Sequence, residues 1–188
     1  MKNYRKYSVT APLNLARFSL INDIPGQCEI DLPDHQVGIL IELINKLEGL
    51  SKFFAMVLME TGARPIEVLN LTAGMANRNG MIFLKSAKGS ADRIAFSPTF
   101  VKLIPADCLD KNFKPFKSYS YRRFYRAIKA VGYHMPIIQG KHNPISRLFR
   151  QAYAHLIDRL KPGDLDLLAT NLGHKNKLNS LFYLKPKG

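Results

Sequence analysis

The 188-residue chain predicts an α+β fold, a mainly helical domain that carries a small antiparallel β-sheet. Three observations predict it. Apolar residues recur at helical spacing in several segments, as in Val37, Leu40, Ile41, Ile44 and Leu47. Two short β-type runs, residues 81–84 and 93–96, are separated by a polar loop containing Gly89. With 46% apolar residues, a chain of this length fills one core without disulfide or metal staples.

Taken in order, residues 1–33 hold Pro12, Pro25 and Pro33 without a sustained period and read as an arm or irregular lead-in. Asp34 caps the first helix and Gly49 ends it. Phe53, Phe54, Met56, Val57 and Leu58 read as a buried helix broken by Gly62. The next helix starts near Pro65, because proline suits the first helical turn, where its missing N–H has no partner to lose. Arg64 then stands at a helix N-terminus beside backbone donors that favour an anion. Lys88 sits near the tip of the loop between the two strands.

Ser118 is placed to cap a helix with Tyr121, Phe124, Tyr125, Ile128 and Val131 inward, ending at Gly132. The helical spacing of these aromatics makes them core residues rather than base-stacking platforms. After a break from Pro136 to Pro144, a helix follows with Leu148, Phe149, Ala152, Tyr153 and Leu156 inward. Arg147 and Arg150 form its polar edge, and Pro162-Gly163 ends it. Asp164 leads a short helix to Leu172-Gly173, and Leu178, Leu181 and Phe182 mark a last apolar face with Tyr183 near its edge.

Charge narrows the class of partner. The chain has 28 basic and 14 acidic residues, a formal charge of +14, which favours polyanions and nucleic acid first among them. An anionic membrane surface or a basic RNA-binding module would share that charge. Between Lys111 and Lys161 there are twelve Lys or Arg residues and one acid, Asp158. Within that footprint Arg122, Arg123, Arg126, Lys129 and Lys141 are the expected DNA contacts. Cys28 and Cys108 have neither metal-ligand nor disulfide spacing, so no metal or other cofactor is expected and a reduced cytoplasm is the simplest location. His35, His134 and His155 show no ligand spacing either. The basic N-terminus is not followed by a signal-peptide apolar run, and no span approaches the roughly 20 apolar residues of a membrane helix.

A phosphodiester site without metal ligands needs fixed cations at the non-bridging oxygens, a nucleophile, and an acid for the leaving oxygen. Arginine suits the clamp because its planar fork stays charged, whereas lysine can give up a proton. Residues of these types occur in an ordered series. Thr61-Gly62-Ala63-Arg64-Pro65-Ile66-Glu67 is followed by Ala87-Lys88-Gly89, then by Phe149-Arg150-Gln151-Ala152-Tyr153, and last by Leu172-Gly173-His174 with Tyr183 nine positions on. This series resembles the arginine boxes, lysine turn and LGH…Y ending of the tyrosine recombinase, or phage integrase, family, over about residues 34–183.

The resemblance implies a mainly helical recombinase-type catalytic domain over residues 34–188, and a site-specific DNA recombinase or integrase as the activity. It implies that Arg64 and Arg150 clamp the scissile phosphate of double-stranded DNA and that His174 hydrogen-bonds a non-bridging oxygen. Tyr183 would attack to give a 3′-phosphotyrosine, and Lys88 would protonate the leaving 5′-oxygen. No metal or ATP is needed by such chemistry, and copies are expected to assemble on DNA, on the nucleoid. Glu67 reads as a structural partner of Arg64. One position departs from the family pattern: Arg147 stands where the second box usually has histidine, and arginine is a poor proton acceptor. Arg147 is thus placed as a further phosphate ligand. The alternative is a catalytically weakened or inactive DNA-binding protein on the same fold. The core-binding domain that usually precedes the catalytic one is not expected within the 33 lead-in residues.

Overall fold

The computed structural model describes residues 32–87, 89–133, 137–138, 141–142 and 145–184. The lead-in up to residue 31, Lys88 and His134 lie outside the described residues. The described elements are α1 (Leu32–Lys46), α2 (Gly49–Thr61), α3 (Pro65–Leu69), β1 (Met81–Leu84), β2 (Arg93–Phe96), α4 (Pro98–Lys102) and α5 (Tyr121–Ala130). They continue through β3 (Ile137–Ile138), β4 (Lys141–His142), α6 (Ile145–Leu160), α7 (Leu165–Leu172) and α8 (Leu181–Leu184). The expected α+β class holds.

Helix α2 is the centre of the core. Its second half is buried from Phe54 onward except for Met56, and α1, α4, α5 and α6 all pack on it. Phe54 meets Phe116 edge-on at 5.3 Å and Phe124 at 4.9 Å between ring centroids, and Phe149 of α6 extends the cluster 6.2 Å beyond Phe124. Such edge-to-face pairs fit the ring quadrupoles and add to the burial term. The inward prediction for Phe124 and Ile128 holds, while Tyr121 and Tyr125 are only half-buried.

Strands β1 and β2 pair antiparallel with Met81 opposite Phe96 and Leu84 opposite Arg93, as the two runs predict. Ile82 and Leu84 point inward from β1, and Arg93 and Ala95 from β2. Ser97 caps α4 by accepting from Phe100 N at 3.2 Å, and Ser97 and Thr99 both donate to the buried carboxylate of Glu60. Burial pushes the Glu60 carboxyl above its ordinary pKa, with those two hydroxyls opposing.

Several boundaries differ from expectation for local reasons. Helix α1 begins at Leu32, so Asp34 lies within its first turn; Pro33 is tolerated there because no intrahelical N–H bond is yet required. Gly49 opens α2 with φ +51 instead of ending α1. The cap of α5 is Ser120, which accepts from Arg123 N at 3.2 Å, not Ser118. The turn before it, closed by Tyr119 N to Phe116 O at 3.0 Å, sends the Tyr119 ring against Phe54 and delays the helix. A two-residue ribbon, β3 with β4, occupies part of the stretch read as a break. Leu178 and Phe182 do not form a buried face: a 3₁₀ turn (Lys177–Ser180) precedes α8, and the two side chains are 58% and 65% exposed. Among the described residues no helix is long and apolar enough to cross a membrane.

Gly62 ends α2 in the left-handed region at φ +57, its N–H bonded to Leu58 O at 2.9 Å. A Cβ there would also come 2.3 Å from the Tyr153 ring. Gly62→Ala therefore combines a left-handed backbone penalty of about 1–2 kcal/mol with a clash against a buried ring. A loss of at least about 2 kcal/mol is expected in urea unfolding.

Candidate active site

The site forms where α3, the loop between the strands, α6 and the 173–183 segment meet. Thr61 closes the last turn of α2 by donating to Val57 O at 2.6 Å, and its hydroxyl accepts from Ala63 N at 3.1 Å. The chain then passes through Gly62 into Arg64, the N-cap of α3, with Pro65 in the first turn as predicted. Glu67, one turn on, accepts from Arg64 N at 2.9 Å and from Arg64 Nη1 at 3.2 Å, so the helix start holds its own arginine. Nη1 also donates to Ala87 O at 3.4 Å and to Ser90 Oγ. Ala87 and Ser90 of the loop between the strands thus both contact Arg64.

Arg150 corrects the expectation of a polar helix edge. It is 3% exposed, its Nη1 donates to Gly62 O at 2.6 Å and its Nη2 donates to Leu172 O. A guanidinium cannot enter a core without such partners, and the carbonyls come from the ends of two other helices, far away in sequence. Arg147 is the part of the predicted edge that stays half-exposed. Arg64, Arg147, Arg150 and Tyr183 line one open cleft of about 560 Å³, with Pro65, Ile66, Leu69, Tyr121 and Ser146 as its remaining wall.

Tyr183 closes the other side, and His174, which does not itself line the cleft, stacks on its ring. The Arg150 guanidinium carbon lies 5.5 Å from the Tyr183 ring centroid, and that ring stacks on His174 at 5.6 Å and 25°. His174 Nε2 is 3.1 Å from Arg150 Nη2, which can only donate, and His174 Nδ1 is 2.8 Å from Ser180 Oγ. Nε2 is therefore the acceptor, and neutral His174 carries its proton on Nδ1.

One carboxylate pairs with two arginines, one buried and one half-buried. Besides Arg64, Glu67 accepts from Arg93 Nη2 at 3.0 Å. Burial alone would raise the Glu67 carboxyl, but Arg93, the Arg64 backbone N–H and Arg150 outweigh it and hold the group below its ordinary pKa. Burial and the repulsion of Arg93 and Arg64 lower Arg150 to about 10, still charged at neutral pH. His174 is pushed down to about 4, by burial first and then by Arg150, Arg64 and Arg93. That excess of fixed positive charge is the electrostatic condition for holding an anion.

The sign of the His174 effect sets a pH dependence. Its folded pKa of about 4 lies below the ordinary 6.5, so the unfolded chain binds more protons between those values. Stability that depends on neutral His174 is complete above pH 6.5 and is lost as the pH falls toward 4. An imidazole NMR titration should find a midpoint near 4, and His174→Gln should flatten the fall in melting temperature between pH 6.5 and 4.5. A midpoint near the ordinary value would contradict this arrangement.

Of the residues expected to meet DNA, Arg122, Arg123, Arg126 and Lys129 are all exposed on α5. Lys129 Nζ lies 5.1 Å over the Tyr125 ring and Arg123 lies 6.0 Å over Tyr119. Lys141 is in β4. Helix α5 borders the cleft through Tyr121, whose hydroxyl is 3.5 Å from Ser146 Oγ.

Sequence reasoning missed Arg93, Ser90 and Ser180 as parts of the site. For Arg93 a signal existed: strand alternation puts it on the same inward face as Ala95. For the two serines none did, because a small hydroxyl is common in any polar turn.

The described architecture is that of a tyrosine-recombinase catalytic domain. Among solved structures, the chain is similar to XerA recombinase at a TM-score of 0.57 and 22% identity, covering 87% of this chain and 62% of that one. It is similar to the catalytic domain of bacteriophage HP1 integrase at 0.55 and 18% identity, covering 80% and 84% respectively. The Tn1549 transposon integrase, solved with circular intermediate DNA, aligns at 0.55 and 14% identity over 90% of this chain and 67% of that one. No family model matches the chain, and no curated protein matches it by sequence. The chain spans 62% of XerA recombinase and 50% of XerH recombinase, a further structure to which it is similar.

Proposed function

We propose that this chain is the catalytic part of a site-specific DNA recombinase or integrase that cleaves and rejoins double-stranded DNA through a 3′-phosphotyrosine. The observation that carries the proposal is the convergence of Arg64 and Arg150, from separate helices, with Tyr183 in one cleft whose positive charge Glu67 only partly offsets. The two guanidiniums and Arg147 would hold the non-bridging oxygens of a phosphodiester and stabilise the charge that grows on them. Tyr183 Oη attacks phosphorus; a P–O bond to tyrosine forms as the bond to the 5′-oxygen breaks, and that oxygen takes a proton from Lys88. Reversal of the same step rejoins the strand, since the phosphotyrosine keeps the energy of the original ester.

His174 enters this scheme with its Nε2 lone pair turned to Arg150. To donate to a phosphate oxygen it must gain a proton or exchange tautomers, and an incoming anion raises its pKa toward that state. Arg147 cannot take the Tyr183 proton, so solvent or a group of the DNA must. The exposed arginines of α5 supply sequence-independent phosphate contacts beside the cleft. Copies of the chain would act together on paired sites.

The test is a nicked duplex from which the short fragment bearing the freed 5′-hydroxyl escapes, so that a covalent complex accumulates and survives denaturing electrophoresis. An adduct on the 3′ side is the expected result. Salt-sensitive duplex binding without any adduct would instead mark a recombinase fold that binds DNA and no longer cuts it.

A further inference from the structure

Arg93 is buried at 3% exposure, yet only one of its nitrogens is paired: Nη2 donates to Glu67, while Nε and Nη1 have no hydrogen-bond partner among the described residues. Leaving two donors of a guanidinium unsatisfied is costly, and such groups persist where another requirement holds them. The surroundings show that requirement. On one side Arg93 reaches Glu67, the same carboxylate that holds the backbone N–H and Nη1 of Arg64. On the other, Nη1 would lie 3.0 Å from a Cβ at Gly173, and Ala91 N, two residues before Arg93, donates to Gly173 O at 2.9 Å. Strand β2 therefore touches both halves of the site, the Arg64 end and the turn that presents His174.

We propose that Arg93 is a positioning residue for the phosphodiester site, fixing Arg64 through Glu67 and backing the Gly173–His174 turn with the unpaired Nη1 edge of its guanidinium. The proposal rests on the recombinase assignment for its consequence in catalysis, and on the geometry alone for its effect on His174. Arg93 does not line the cleft, so it acts through the groups it holds. The charged and titratable groups around it are Glu67, Arg64, Arg150, His174 and Tyr153; Tyr153 is raised to about 12 by burial against the opposing pull of Arg93 and Arg150.

The test compares Arg93→Lys and Arg93→Met in the full chain, with Arg93→Gln in place of the latter should it not fold. Three readouts are taken: duplex binding, the rate of adduct formation on the nicked duplex, and the imidazole titration of His174. Both variants are expected to bind duplex within about threefold of the parent. The adduct rate should fall at least about tenfold in each, because neither side chain reproduces the fork that orients Glu67. The His174 midpoint should move up only where the positive charge is removed, in Arg93→Met or Arg93→Gln. A folded variant with the parent adduct rate overturns the positioning role. Should the parent itself form no adduct, the recombinase assignment fails, and the titration decides for Arg93: an unmoved His174 midpoint in the neutral variant overturns the proposal.

Discussion

Tyr183→Phe is expected to lose covalent adduct formation on nicked duplex DNA by at least about 10³-fold, with duplex affinity within about twofold of the parent. The substitution deletes one oxygen and keeps the ring. Its stack on His174 and its position under the Arg150 guanidinium, 5.6 and 5.5 Å between centres, are retained. Ring–cation and ring–ring contacts of this kind contribute on the order of 0.5–1.5 kcal/mol each, so the variant should melt close to the parent. The decisive readout is the adduct on a denaturing gel beside a binding curve. An adduct that survives Tyr183→Phe would move the nucleophile elsewhere. Tyr121, the other tyrosine on the cleft wall, would then be the residue to replace.

Arg150→Lys should be as damaging to chemistry as its conservative label is misleading. A lysine at this place keeps the charge but cannot donate to Gly62 O, Leu172 O and a phosphate together, as the forked guanidinium can. Loss of a preorganised donor at a developing oxyanion costs about 10²–10³ in rate, and that range is expected for adduct formation. Leaving a buried carbonyl without its donor costs about 1–3 kcal/mol, so urea unfolding should show a stability loss of that size as well. The pairing of effects is the informative part. A variant that lost stability but kept its adduct rate would make Arg150 a structural cation and remove it from the clamp.

Much of the site could be read from local signals. Gly62, Pro65 and the cap at Asp164 lie where the sequence puts them, because turn and cap chemistry acts over three or four residues. The two strands were legible for the same reason, their alternation being short but bounded by polar turn residues. For Arg150 the expected environment and the observed one differ. Helical spacing put it on a polar edge next to Arg147, but the carbonyls that permit its burial belong to residues 62 and 172, which no periodicity in 145–160 can reveal. Arg93 is the complementary case, since its strand alternation pointed inward and its charge argued against that face. The exposure of Leu178 and Phe182 was illegible in another way: the 3₁₀ turn rotates the chain between them and the core, and apolar spacing alone does not report such a change of pitch.

The two carbonyls that receive Arg150 lie at the C-terminal ends of α2 and α7, the ends at which a helix macrodipole is negative. The buried guanidinium is thus stabilised by two half-charges of backbone origin more than by a side-chain anion. Backbone dipoles lower the cost of burying the cation without cancelling its formal charge, so its field remains available to a phosphate entering the cleft. Salt ions reach such a charge poorly, whereas they screen the exposed arginines of α5 fully. Added salt should therefore weaken the approach and sliding of DNA well before it weakens the grip on the one phosphate at Arg150.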